Sequence, residues 1–242
     1  MAFAILNTMS EGFERTVQRN GLVLVAVLAV LTVMNTLLAS TAMEPAGTAD
    51  PTVGVLGFVM GLLSFVVAIA SVVTMIVALR VFASGETEHI PRAFVRRTIG
   101  LATLNVIVGG VVFAVIVTLG GVLLVIPGLF LLVSLYYWSV FVAVEDQNFV
   151  RAFRSSWSLT RGSRLRLFGL GVAVVGLLVV VTALVSIPAA PFGIVGAIVT
   201  QTVGAALTMY ALATTVSAYD QLRTLDQPDR PDTQPDMPGT PA

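Results

Sequence analysis

The 242 residues contain no cysteine, no lysine and a single histidine, His89. Without cysteine there are no disulfides, no thiolate nucleophile and no cysteine-ligated metal or cluster. His89 stands beside only Glu86 and Glu88 in a polar stretch. That is the composition of a solvated connector rather than of a metal site. Glycine-rich phosphate loops and Ser-His-Asp sets are missing as well. Glu145-Asp146 forms an acidic pair with no partner base or nucleophile near it in sequence, which falls short of a hydrolase centre. We therefore expect no enzymatic activity, no cofactor and no bound metal.

Charge is scarce too. Charged residues make up 11% of the chain and hydrophobic residues 57%, where a soluble domain carries about 25% charged residues. Mean hydropathy is +0.96. Thirteen arginines balance thirteen acidic residues, so the net charge argues against a nucleic-acid partner. A GC-rich genome or a salt-adapted prokaryotic proteome both produce an all-arginine chain; the bias speaks of source, not mechanism. Several uncharged runs exceed the ~18–20 residues needed to cross a bilayer core of ~30 Å. The chain reads as an all-α integral membrane protein.

Residues 1–20 place Phe3, Leu6, Met9, Phe13 and Val17 at helical spacing, with Glu11, Glu14, Arg15, Gln18 and Arg19 between or opposite them. This pattern predicts an amphipathic surface helix. The uncharged run 20–43 is the first membrane helix. Ser40 and Ala42 would satisfy a small-residue cleavage rule, but the run is too long and starts too late for a signal peptide. A polar turn at 44–50 leads to a second helix over 51–79, ending at Arg80. Residues 80–97 are a charged connector, with a short interfacial helix expected after Pro91.

Residues 98–144 hold no charge. As one helix they would extend about 70 Å, far beyond a bilayer. The run must fold back, and Pro127-Gly128, preceded by Gly120-Gly121, is the natural turn between helices three and four. Run 167–219 poses the same problem, and Pro188 and Pro191 solve it, giving helices five and six. The tail 223–242 carries five prolines and four aspartates, a composition that buries no core. We expect one six-helix domain over 1–222 and a disordered tail over 223–242.

All thirteen arginines fall before helix one, between helices two and three, between four and five, or after six. The other three connections contain only Glu44 and Asp50. By the positive-inside rule both termini are cytoplasmic, in the plasma membrane of a prokaryotic cell. The segments GFERTVQRNGL, RAFVRRTIGL and RAFRSSW each set Phe and Arg before a hairpin. An internal repeat is one account of this rhythm; the common character of cytoplasmic segments that approach a membrane is the other.

No charge lies inside an expected span, which argues against a proton relay or voltage sensor. Asn35, Asn105 and Gln201 read as interhelical hydrogen-bonding groups more readily than as a hydrophilic path. Gly57-x-x-x-Gly61, Gly169-x-x-x-Ala173, Gly196-x-x-x-Thr200 and Gly204-x-x-x-Thr208 allow close helix approach, within the bundle or between copies. Tyr136, Tyr137 and Trp138 fall near the middle of helix four, away from the aromatic belts. Core packing accounts for them, and so does the wall of a lipid- or substrate-sized cavity.

The segment 148–166, NFVRAFRSSWSLTRGSRLR, is basic and aromatic. As a helix it groups Phe149, Val150, Phe153, Trp157 and Thr160 on one face and Arg151, Arg154, Ser158 and Arg161 on the other. Such a helix suits a membrane surface, with rings in the acyl boundary and guanidinium groups among lipid phosphates. Asp146 is placed to cap it. Arg151, Arg154, Trp157 and Arg161 are the candidate residues for binding lipid headgroups or a membrane or cytoplasmic protein partner.

One stretch resembles a known family. Pro127-Gly128, the acidic close at Glu145, and the run carried by Ala152, Ser155 or Ser156, Trp157, Leu159, Thr160 and Gly162 are similar to the membrane domain of some glycerophosphoryl diester phosphodiesterases. They also resemble its uncharacterised six-helix relatives in bacteria and halophilic archaea. The resemblance implies a six-helix membrane module. It does not carry catalysis here, because in that family the chemistry belongs to a separate soluble domain with acidic and histidine metal ligands. The leading expectation is a non-enzymatic membrane module that engages lipid or a partner through its cytoplasmic arginine face. The alternative is a transport component, either a facilitator or a membrane subunit of a larger assembly.

Overall fold

The computed structural model describes residues 5–42, 51–86, 94 and 98–226. Among them regular structure is helical only. In chain order the helices are α1 (Ile5–Val17), α2 (Arg19–Ala42), α3 (Pro51–Ser84), α4 (Ile99–Leu123), α5 (Val125–Leu135), α6 (Trp138–Glu145), α7 (Phe149–Leu159), α8 (Arg164–Ala189) and α9 (Gly193–Asp226). A 3-10 turn over Ala190–Phe192 joins the last two. Residues 1–4, the polar turn at 44–50, His89, the helix expected after Pro91 (Phe94 apart) and the tail beyond 226 lie outside the described residues.

Five stretches are long and apolar enough to cross a membrane: Arg19–Ala39, Val55–Ser84, Ile99–Val122, Ile126–Glu145 and Arg164–Leu225. The last contains both α8 and α9, which pack on each other and reverse at the 3-10 turn. Pro188 is the penultimate residue of α8, so its missing N–H costs only one hydrogen bond at the end of the helix. Gly193, with φ 54, then makes the left-handed step that side chains resist. α9 continues past residue 222, where the sequence suggested the tail would begin, to Asp226.

The reversal between α4 and α5 falls at Leu124, whose backbone is extended at φ −160 and ψ 130. Pro127 sits in the first turn of α5, where a missing N–H costs least. Gly120 and Gly121 before the turn and Gly128 after it let the two helices touch. A Cβ on Gly128 would stand 2.6 Å from the Gly121 Cα.

The core joins α2, α3, α6 and α9, with Leu28, Ile76, Val140, Met209 and Val216 at or below 1% exposure. α1 packs on the C-terminal part of α9, where the Thr8 hydroxyl donates to Gln221 Oε1 at 3.1 Å. Asn35, Asn105 and Gln201 of the apolar helices are engaged, while the buried hydroxyls of Thr103, Ser134 and Ser217 have no hydrogen-bond partner among the described residues. Ser64 donates to Asn35 at 2.7 Å, Gln201 to Thr36 at 2.9 Å, and Asn105 accepts from the Phe149 N–H at 3.2 Å. α4 and α8 instead present large apolar side chains outward, Val122 and Ile187 at 79% and 73% exposure. That surface is compatible with a multi-pass membrane protein and foreign to a water-facing one.

Candidate functional site

α7 begins where Asn148 holds an extended backbone (φ −69, ψ 155) and its Oδ1 accepts from the Arg151 N–H at 2.9 Å. Asn148, not Asp146, is therefore the N-cap, as its short acceptor side chain favours. Asn105 of α4 satisfies the next orphan donor, Phe149 N–H.

The inward stripe of α7 is Ala152, Ser156 and Thr160, each at 0% exposure. The Ser156 and Thr160 hydroxyls both donate to the Ser134 carbonyl, at 2.9 and 3.4 Å. Ser134 lies just before the break at Tyr136 and Tyr137, which divides what the sequence suggested would be one fourth helix into α5 and α6. Phe153 lies 5.4 Å from Trp138 and Trp157 lies 5.4 Å from Phe130, ring centre to ring centre. The helix thus doubles back along α6 and onto α5. Its rings are spent on the protein: Phe149 and Phe153 join Trp138 and Phe113 in one aromatic cluster. The acyl-boundary placement expected of that face applies at most to half-exposed Val150 and Trp157.

The outward stripe carries Arg151, Arg154, Ser158 and, just past the helix, Arg161, all exposed. Among the described residues the guanidinium groups of Arg151, Arg154 and Arg161 have no hydrogen-bond or ion-pair partner. Asn148, Val150, Arg151, Arg154, Ser155 and Ser158 outline one shallow open depression. Trp157 does not line it and is 38% exposed. Arg151, Arg154 and Trp157 are therefore brought to one helix and Arg161 to the turn after it, with the three arginines exposed and the tryptophan packed on Phe130.

Arg80, Arg15 and Arg223 contrast with these, whereas Arg19 and Arg166 are exposed as well. Arg80 is 7% exposed. Its Nε donates to the Ala143 carbonyl at 2.7 Å, Nη1 to the Phe94 carbonyl at 2.9 Å and Nη2 to Asp146 Oδ1 at 2.8 Å. Thr98 adds its hydroxyl to the same Oδ1 at 2.7 Å. Arg15 spans the Phe82 carbonyl (2.8 Å) and Asp220 (3.1 Å). Glu145 accepts from Tyr219 at 2.6 Å and pairs with Arg223. The acidic pair that closes α6 thus ties that helix to α3 and α9. Arg80 read from sequence as a helix terminator; its burial had no local signal, because the acceptors come from residues 94, 143 and 146.

An all-helical chain with several membrane-length apolar helices and one exposed basic helix is the class this structure defines. Residues 3–222 match the family described as Domain of unknown function (DUF7847), and the chain belongs to that family. No curated protein and no solved structure matches it.

Proposed function

We propose that this chain is a non-enzymatic module of the plasma membrane, with six spans and both termini cytoplasmic, whose α7 arginine face engages anionic lipid headgroups. The observation that carries the reading is the contrast among the arginines. Arg15, Arg80 and Arg223 are committed to carboxylates within the fold, whereas Arg151, Arg154 and Arg161 are held outward on a helix whose other face is buried. At ~1 kcal/mol per basic residue near an anionic leaflet, three such arginines supply roughly 3 kcal/mol. The reversal at 190–192 supports the sixth span: α8 has 26 residues, about 39 Å at 1.5 Å each, and α9 has 34. Kinship with the phosphodiesterase membrane domain is part of this proposal. It is supported by the Ala152, Ser156 and Thr160 stripe, which gives the shared motif a packing role.

The test is photocrosslinking in proteoliposomes with a headgroup-reactive phosphatidylglycerol. The wild type is expected to crosslink within 148–163. Changing Arg151, Arg154 and Arg161 together to Gln should remove most of that signal, and raised salt should weaken it. Unchanged crosslinking in the triple variant would sink the reading.

A further inference from the structure

A groove of about 500 Å³ runs between α5, α8 and α9, lined by residues that include Leu129, Leu132, Tyr136, Phe168, Gly171 and Val175. Its size falls in the ~300–1,000 Å³ range of sites that hold one small molecule. Three of the four hydroxyl-bearing residues on its wall have their hydroxyls engaged. Tyr136 and Thr215 bond to each other at 3.3 Å, and Thr214 donates to the Tyr210 carbonyl at 2.9 Å. Such a wall suits an alkyl chain and offers little to a sugar, an ion or a polar metabolite.

A cation stands beside the residues that line the groove. Arg164 stands one turn before Leu167 and Phe168 on the same face of α8. Its guanidinium carbon lies 4.5 Å from the ring centres of both Phe130 and Trp157, and Phe130 adjoins the groove residue Leu129. The Arg164 Nε is buried and has no hydrogen-bond partner among the described residues. Nη2 reaches only the Trp157 carbonyl, at 3.5 Å. A buried donor on a cation lacks its acceptor there, and an anionic oxygen is the acceptor that would bind it most strongly.

We infer that this groove holds one acyl chain of an anionic phospholipid, with the lipid phosphate against Arg164. The inference rests on the membrane reading above but uses a different site from the α7 arginine face. Charge complementarity selects the occupant: an apolar trough with an incompletely satisfied cation one helical turn from its lining residues Leu167 and Phe168 matches an amphiphile with one negative head.

The test uses the full chain, purified in detergent, stripped of lipid and titrated with phosphatidylglycerol or phosphatidylcholine under native mass spectrometry. The wild type should retain one phosphatidylglycerol at a concentration about tenfold below that needed for phosphatidylcholine, a difference of ~1.4 kcal/mol. Arg164→Gln should erase that preference and Arg164→Lys should keep part of it. Gly171→Phe should abolish retention of either lipid. A Cβ on Gly171 meets no atom within 4 Å, so the new ring enters the groove instead of its wall. Gly176→Leu, at an equally open groove position, replaces it if that variant does not fold. Arg151, Arg154 and Arg161 changed to Gln should leave the tightest lipid in place. Loss of that lipid in the triple variant, with retention in Arg164→Gln and Gly171→Phe, would overturn the groove and leave the α7 reading standing. Equal retention of both lipids by the wild type would overturn it as well.

Discussion

Arg80 of α3 and Asp146, 66 residues later, form an ion pair at 2.8 Å, with the arginine side chain only 6% exposed. The same guanidinium closes on the Ala143 and Phe94 carbonyls, so it satisfies backbone acceptors and fixes α6 against α3. Removing one member of a buried pair leaves a stranded charge. Arg80→Gln is expected to lower stability by ~3–5 kcal/mol. Asp146→Asn should cost less, because the amide oxygen still accepts from Thr98. Unfolding in detergent, followed by circular dichroism, checks both, and equal losses would contradict the assignment.

Thr98 and Asp146 are the two non-glycine residues with positive φ, 50 and 52, among the described positions. A β-branched residue tolerates that region poorly, at a cost of ~1–2 kcal/mol. Asn enters it readily and can still donate to Asp146. Thr98→Asn should therefore match or exceed wild-type stability, whereas Thr98→Val loses the hydrogen bond and keeps the strain. Melting temperatures of the two variants check the order.

Glycine substitutions separate real contacts from motif matches. A Cβ on Gly109 would meet the Trp138 ring at 2.5 Å, and one on Gly128 would meet Gly121 at 2.6 Å. Gly109→Ala and Gly128→Ala should each cost ~1–3 kcal/mol through overpacking. Gly61 and Gly204, both from small-residue motifs, meet nothing within 4 Å. Alanine there should be neutral or stabilising by up to ~1 kcal/mol through helix propensity. Thermal unfolding of the four single variants distinguishes the sets.

α7 should divide cleanly by face. Ala152→Leu and Ser156→Val push volume into a fully buried stripe and remove the bond to Ser134, and should destabilise by ~1–3 kcal/mol. Arg151→Gln and Arg154→Gln touch no partner and should stay within ~0.5 kcal/mol of wild type. If the arginine variants unfold and the stripe variants do not, the helix has been placed with the wrong face inward.

Much of this architecture was legible from long-range composition. Uncharged runs located α2, α3, α4, α8 and α9 within a few residues, and Pro188 and Pro191 marked the last reversal, because membrane-length helices announce themselves by what they exclude. The amphipathic period of 148–166 gave α7 and its arginine stripe, although the helix ends at Leu159. Its inner face was misjudged: hydrophobic spacing alone does not say whether a ring meets lipid or Trp138. Asp146 looked like a cap by position, and the stronger local signal was Asn148. Arg164 was read as one more charge of a basic segment. Only the folding of α5 beside α7 places it between Phe130 and Trp157.

The most direct measurement is sided labelling of a chain that has no cysteine of its own. Gly47→Cys, Thr87→Cys and Ser158→Cys are introduced singly and probed in sealed, right-side-out vesicles with a membrane-impermeant maleimide. Position 47 is expected to label at once, and 87 and 158 only after the vesicles are opened. Labelling of 158 from outside, or of 47 and 158 from the same side, would contradict an α7 arginine face on the cytoplasmic leaflet.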